Sequence, residues 1–405
     1  MARVRRTGWW PTARPAPRAW VRPIWLGLLL TLAACAGAPP LPTVLAPPPL
    51  ADALFGPPDE PVDAGTLFTL SPAMQAFVHE HLGRPGRQSD TALRLAEALS
   101  PGGRLQLRYD DSVTRTPAQA FAQRRGNCLS LAMMAGAFAQ ALGLDVDYQL
   151  VQAPELLERS GDLVLRSGHV NVVLSRPPPR DPWLQPDRLA VTVDFVPPQQ
   201  LVGLRVRHID QPTVVAMYLN NRAAEALLAG EPNQAYAWAR AAVLQRPDLA
   251  AALNTLGVVY QRAALPALAD QAFAQALQHD PLLAAALANH VPVLRALGRD
   301  DEARASAERL ARLEPEPPFQ LLDQGRAALQ QGDAERALPL FQRAARQLPD
   351  LPEAQFWLAR AHHQLGQLAQ AQQAMARAVE FSHRDADRRR YSAKLAWLRA
   401  LPLAP

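Results

Sequence analysis

The chain has 405 residues, 49% of them hydrophobic and 20% charged, with 39 prolines, 21 glycines and two cysteines. That length holds two or three domains with sizeable cores, and two cysteines exclude a disulfide framework or a cysteine-rich zinc module. The formal charge of +5 does not make a polyanion binder: six arginines and no acid fall in the first 34 residues, which leaves 36 basic against 37 acidic residues beyond them, so the electrostatic case for nucleic acid is lost.

Arg3, Arg5, Arg6, Arg14, Arg18 and Arg22 precede an apolar run from Ile24 to Ala34. The run is too short to span a bilayer, and residues 1–34 read as an export signal. Its end, Leu32-Ala33-Ala34-Cys35, resembles the lipobox of bacterial lipoproteins. The resemblance implies cleavage before Cys35, a diacylglycerol on its thiol and attachment to the cell envelope through acyl chains. Ala36, in place of an aspartate that favours inner-membrane retention, directs the expectation to the periplasmic face of the outer membrane. Nine prolines between Ala36 and Pro61 make residues 35–66 an extended tether, with folding from Leu67.

From 67 to 207 the pattern is mixed. Ser71-Pro72 starts a helix through Leu82, and Asp90 to Ser100 has helical spacing before Pro101-Gly102-Gly103 stops it. Thr116-Pro117-Ala118-Gln119 is a capping-box start for a helix to about Gln123. After the turn Arg124–Asn127, a strongly apolar helix runs from Cys128 to Leu142, with Gly143 as its stop. Strand-like segments follow at 145–151, 163–166, 169–174 and 189–196, the last two joined by a proline-rich loop over 176–186. A central helix followed by an antiparallel sheet is an α+β arrangement.

Three residues carry chemistry in this region. Cys128 is the one cysteine beyond the lipobox; at a helix N-terminus its thiolate is stabilised by the dipole and free amides, which also suit an oxyanion. His169 shares a strand face with Asn171 and Val173, while Val170, Val172 and Leu174 take the other. Asp194 interrupts the run Val191–Val196, where a carboxylate needs a partner. Singly, each has a structural use: a packed thiol, a core histidine, a turn former. In this order, nucleophile on a helix start, base on one strand and orienting acid on the next form a Cys-His-Asp constellation.

Thr116-Pro117-Ala118-Gln119-Ala120-Phe121, Arg125-Gly126-Asn127-Cys128-Leu129-Ser130-Leu131, Gly168-His169-Val170-Asn171-Val172 and Val193-Asp194-Phe195 resemble the bacterial transglutaminase-like domain of the papain-like cysteine fold. The resemblance covers about 110–198 and implies Cys128 as nucleophile, His169 as base and Asp194 as orienting acid. Gln119, Gln123 and Tyr109 are candidates for the oxyanion hole. The family includes cross-linking enzymes, peptidases, amidases and members that have lost activity.

Pro247, Pro281, Pro315 and Pro349 stand 34 residues apart, and small residues recur at Ala235, Ala269, Ala303, Ala337 and Ala371. A bulky position gives Phe273, Phe341 and Met375 but Ala239 and Ala307; a later small position gives Ala242, Ala276, Ala344 and Ala378 but Leu310. Gly257 and Gly325 fit a tight helix contact. The register resembles tetratricopeptide repeats: five units over 216–383, then a capping helix and tail over 384–405 with Tyr391, Leu395 and Leu398 inward. Pro292 falls inside a helix and is expected to bend it or disturb its stacking. The first helix of each unit lines a groove for a protein or peptide partner, with Asn220, Asn254, Phe319, Arg326, Phe356 and Arg360 projected into it; the aromatics serve equally as core. His79-x-His81 and His362-His363 lack further ligands at metal spacing and read as solvent-facing. Neither a nucleotide motif nor a metal or other cofactor is implied.

The sequence therefore reads as a lipid-anchored α+β cysteine peptidase, amidase or acyltransferase joined to an all-α repeat solenoid that recruits a partner. The rival reading is a non-enzymatic repeat scaffold with an inactive transglutaminase-like domain.

Overall fold

The computed structural model describes residues 50–83, 88–100, 102–110, 112–160, 163–177, 190–195, 205–313, 318–382 and 385–401. The export signal, Cys35, the first part of the tether and most of the loop over 176–186 lie outside them. No helix among the described residues is long and apolar enough to cross a membrane.

Helix α1 (Pro72–Phe77) is capped by Ser71, whose hydroxyl accepts from the Met74 amide at 3.3 Å, and continues as a wider turn through Leu82. With α2 (Gln88–Leu99) it supplies Met74, Phe77, Leu82, Leu95 and Leu99 to the core. The short parallel pair β1 (Arg108–Tyr109) and β2 (Arg125–Gly126) brackets α3 (Pro117–Gln123). The capping box expected there forms: Thr116 Oγ1 accepts from the Gln119 amide at 3.2 Å, and Gln119 Oε1 from the Thr116 amide at 3.0 Å. Helix α4 (Cys128–Ala141) follows, buried on all sides from Cys128 to Ala139, as an apolar helix without a polar stripe must be.

Against α4 lies an antiparallel sheet in the order β5-β4-β3-β6, from β3 (Asp145–Ser160), β4 (Leu163–Ser175), β5 (Val191–Val193) and β6 (Arg205–Ile209). Val170, Val172 and Leu174 are fully buried. β3 and β4 are longer than the sequence pattern suggests: the hairpin continues past a register shift between Val151 and Leu156, and such a shift resets the alternation that marks a strand. β6 escaped the sequence reading because Arg205-Val206-Arg207-His208-Ile209 is an edge strand, paired with β3 on one side and too polar to stand out.

The described part of the proline-rich stretch, residues 50–66, packs on the first helix pair of the C-terminal half and does not act as a free spacer there. Phe55 stacks on Tyr236 with centroids 4.1 Å apart. The Ala51 amide donates to Tyr236 Oη (2.8 Å), the Glu60 amide to Gln234 Oε1 (2.7 Å), and Asp52 pairs with Arg240 at 2.7 Å. Prolines that prevent helix and sheet leave the backbone amides of Ala51, Gly56 and Glu60 to be satisfied by side chains. The described fold therefore includes residues before Leu67.

The C-terminal half is five antiparallel helix pairs and a closing helix: α5 (Gln211–Ala229) with α6 (Pro232–Gln245), α7 (Ala250–Arg262) with α8 (Pro266–His279), α9 (Ala284–Ala296) with α10 (Asp300–Leu313), α11 (Pro318–Gln330) with α12 (Ala334–Gln347), α13 (Pro352–Gln364) with α14 (Leu368–Glu380), and α15 (Asp385–Ala400). The tight contacts fall at Gly257 and Gly325: a Cβ on either would lie 2.5 Å from the ring of Phe273 or Phe341. α9 runs through Pro292, which is exposed, so the forfeited amide hydrogen bond lies on the solvent side. Tyr391, Leu395 and Leu398 of α15 are buried.

The array's core is interrupted. One cluster runs from Leu67 to Val293 and another begins at Phe319. Between them α10 fully buries Ala303 alone. This is the unit with Ala307 where α8 and α12 carry Phe273 and Phe341; without the large ring there is little apolar surface to join α10 to the next pair.

Candidate active site

Cys128 opens α4 because Asn127 caps it. Asn127 Oδ1 accepts from the Ser130 amide (2.9 Å) and hydroxyl (2.7 Å), while its Nδ2 donates to Thr114 Oγ1 at 2.9 Å. Thr114 is held in turn from α5: its amide donates to Glu225 Oε1 at 2.6 Å, and Asn221 Nδ2 donates to its hydroxyl at 3.3 Å. Burial pushes the Glu225 carboxyl above the usual range, against the opposing pull of the Thr114 bonds and Arg222. The first repeat helix thus fixes the loop that fixes the helix start at Cys128.

Arg115, next in that loop, is 5% exposed. Its amide donates to Ser130 Oγ (2.8 Å); its guanidinium reaches Asp110 (2.8 Å), Gln123 Oε1 (2.8 Å) and the Val113 carbonyl (3.2 Å). Burial favours a neutral Asp110, but the bonds from Ser112 and the charges of Arg115 and Arg125 prevail and hold its carboxyl below the ordinary range. Arg115→Met is expected to cost about 3–5 kcal/mol, because it leaves the Asp110 charge in a poorly solvated place; a urea unfolding curve of the full chain at neutral pH measures it.

The sequence-chosen trio is brought together. His169 and Asn171 share a face of β4 and are 4% and 6% exposed. Asp194 directly follows β5, whose Val193 lies opposite Val172, and this register delivers the carboxylate to that face. Asp194 Oδ1 is 2.8 Å from His169 Nε2, and Asn171 Nδ2 donates to Asp194 Oδ2 at 3.2 Å. With Nε2–H on the carboxylate, Nδ1 is the nitrogen left for chemistry. It is buried without a hydrogen bond of ordinary geometry, and Cys128 acts on the ring through hydrogen bonding and charge. Burial alone would lower the imidazole pKa; the bond to Asp194, then Cys128, outweighs it, and the ring is raised to about 9. Cys128 itself is 4% exposed.

Of the oxyanion candidates, Gln119 and Gln123 have their Oε1 atoms engaged by the Thr116 amide and by Arg115, which anchors the side chains whose Nε2 groups an oxyanion would call on; Tyr109 sits on β1. A polar pocket of about 430 Å³ is lined by Thr114, Arg115, Gln119, Gln123, Tyr218 and Arg222 among others, and not by Cys128, His169 or Asp194. The Asn127–Thr114 link is not legible in the sequence, because it joins a helix cap to a loop residue 13 positions earlier, and the bond from Asn171 to Asp194 is legible only as far as the face that Asn171 shares with His169.

The groove residues separate. Phe319 is 7% exposed and belongs to the core with Leu321 and Leu322, a correction that follows from its place one turn from other apolar residues. Phe356 is half-buried and stacks on Tyr391 of α15 at 5.3 Å, so the closing helix covers part of it. Asn254 Oδ1 accepts from Asn289 at 3.1 Å, and Asn220 is half-buried. Arg326 and Arg360 remain accessible, each with its guanidinium 5.1 Å from the centre of the Trp357 ring. His79 and His81 are exposed. His362 is buried rather than solvent-facing, because its Nδ1 pairs with Gln367 Oε1 at 2.6 Å, and His363 packs on Trp397. Among the described residues no three His, Cys, Asp or Glu side chains converge on a metal position.

No curated protein matches the chain. Among solved structures, PilF of Pseudomonas aeruginosa is 22% identical over 47% of this chain and 86% of that one, with a TM-score of 0.29. A thermophilic TPR protein of Thermus thermophilus is 18% identical over 46% and 100%, TM-score 0.30. YrrB, described as a TPR protein with an unusual peptide-binding site, is 18% identical over 44% and 92%, TM-score 0.25. At these scores the likenesses carry no argument. A tetratricopeptide repeat family model matches residues 328–398, and with the paired helices around them these residues make the C-terminal part of the chain a tetratricopeptide-repeat region.

Proposed function

We propose that this chain is an envelope-anchored cysteine enzyme of the transglutaminase-like kind, acting on peptide or side-chain amides, whose repeats recruit a protein partner. One observation carries the enzymatic reading: His169 bonds Asp194 through Nε2 while its ring answers to Cys128 at a helix N-terminus. In the proposed reaction His169 Nδ1 takes the proton of the Cys128 thiol, and the sulfur attacks the amide carbonyl carbon. The C–N bond breaks as Nδ1–H protonates the departing amine, leaving a thioester on Cys128. Water, deprotonated by the same nitrogen, releases an acid and restores the thiol; an amine in its place gives a new amide. Water's abundance makes hydrolysis the default.

The lipobox resemblance at Cys35 supports the membrane attachment, and the repeat region supports recruitment, since its paired helices offer extended surface. A second reading, a scaffold with an inactive domain, draws on the burial of Cys128 and His169, each 4% exposed.

A chain starting at Ala36 has Cys128 as its sole thiol, and iodoacetamide alkylation at pH 6 tests the proposal. Cys128 is expected to react at least about tenfold faster than free cysteine, as a base-paired thiol does, and to lose that advantage in His169→Ala. A slow thiol indifferent to His169 supports the scaffold instead.

A further inference from the structure

Arg326, Arg360 and Lys394 stand 34 residues apart, one on each of α11, α13 and α15. They occupy the same position of alternate helices, and Lys394 is the only lysine in the chain. Each meets an aromatic ring supplied by α13: Arg326 and Arg360 lie 5.1 Å from the centre of Trp357, and the Lys394 ammonium lies 5.7 Å from that of Phe356. The two rings pack edge to face at 5.1 Å, with Phe341 beneath Trp357 at 6.1 Å and Tyr391 against Phe356. Arg360 and Lys394 are exposed and Arg326 is 36% exposed. The nearby acids are few: Asp323 is 3.5 Å from Arg326, and Glu353 accepts from Trp357 Nε1 at 3.3 Å. The same position of the earlier units holds Ala224, Val258 and Pro292, so the ladder belongs to the C-terminal cores alone.

We propose that this three-rung ladder is a docking surface for an acidic, extended polypeptide segment. The proposal rests on the reading of the array as a recruiting module and names the partner's chemistry. The charges call for carboxylates, and aromatic rings that hold the guanidinium groups side-on leave their N–H donors directed outward for bidentate contact. Arg326 and Arg360 each lie 5.1 Å from the centre of one ring, so their guanidinium carbons are within about 10 Å of each other, and an extended chain advances about 3.3 Å per residue. An acidic residue at every third position therefore meets one rung after another.

The test is fluorescence anisotropy of the soluble chain starting at Ala36 with a labelled peptide of four Glu-Ser-Ser repeats, beside its Gln-Ser-Ser counterpart. Wild type is expected to bind the acidic peptide, more weakly as salt rises, and at least about tenfold more tightly than the neutral one. Arg326→Gln/Arg360→Gln/Lys394→Gln is expected to weaken the acidic peptide by roughly thirtyfold, about threefold per exposed charge, with the circular dichroism and thermal transition unchanged. Arg326→Lys/Arg360→Lys should bind between wild type and the triple variant, because it keeps the charges and loses the bidentate fork. The ladder is refuted if the acidic peptide does not bind or if the triple variant binds it unchanged. It is also refuted if single-stranded DNA or vesicles with anionic lipid bind the same residues more tightly than the peptide. If the neutral peptide binds both proteins as well as the acidic one does, the recruiting role stands and the ladder alone falls.

Discussion

Asp194→Asn is expected to bring the His169 imidazole down from about 9 toward its ordinary value near 6.5, as followed by NMR of the ring protons. An uncharged amide at 2.8 Å removes the leading favourable influence on the protonated ring and leaves burial to act against it. Stability moves with it. A histidine whose pKa is higher in the folded chain stabilises it fully below the unfolded value, and that contribution fades as pH rises through the folded one. Wild type should therefore exceed the variant by on the order of 3 kcal/mol at pH 6, at about 1.4 kcal/mol per pKa unit, and the gap should narrow between pH 7 and 9. Under the proposed mechanism the ring must also protonate a leaving amine, so turnover should decline above about pH 9. A stability gap that is flat from pH 6 to 10 contradicts the Asp194–His169 pairing.

Gly136→Ala is expected to be strongly destabilising. A Cβ on Gly136 would fall 1.9 Å from Tyr148 Oη and 2.9 Å from Cζ, although alanine is the better helix former by about 1 kcal/mol. Tyr148 is 2% exposed on β3, so the ring has no free space to retreat into and α4 must move from the sheet. The loss should reach about 3 kcal/mol, the upper part of the overpacking range, read from urea unfolding. Tyr148→Phe supplies the counter-test. Its hydroxyl is buried with no hydrogen-bond partner among the described residues, and burial pushes its pKa up. Removing it should be neutral to stabilising by about 1 kcal/mol, and it should recover part of the Gly136→Ala loss, a coupling that two independent sites would not show. Because α4 carries Cys128 and the sheet carries His169, Gly136→Ala should also slow Cys128 alkylation more than its effect on stability accounts for.

Cys128, His169 and Asp194 were legible because helix capping and strand alternation are local. Asn127 before an apolar run places the thiol at a helix start, and period-two alternation puts His169 and Asn171 on one face. The repeat region was legible for a similar reason, since a 34-residue register repeats the same packing problem five times. Even its failures were written there: Ala307 and Leu310 break the pattern where the core breaks, between Val293 and Phe319.

What local pattern could not provide was the partner of each polar group. Composition alone makes Leu50 to Thr66 a spacer, yet Tyr236, Gln234 and Arg240 from nearly two hundred residues away satisfy its backbone and charges. The apolar neighbours of Phe319 in sequence suit a core or a groove alike and His362 carries no mark of its place, so the burial of both is decided by their neighbours in space. So, too, the hold of α5 on Thr114 and of Thr114 on Asn127 exists only once the first repeat helix packs against the loop before α3. Sequence determined which residues start helices, alternate in strands and recur in register, because those are contacts over a few residues or an exact period. The tertiary structure decided which charges are paired, which aromatics stay partly exposed, and that α5 braces the loop before Cys128, because each depends on surfaces meeting across the whole chain.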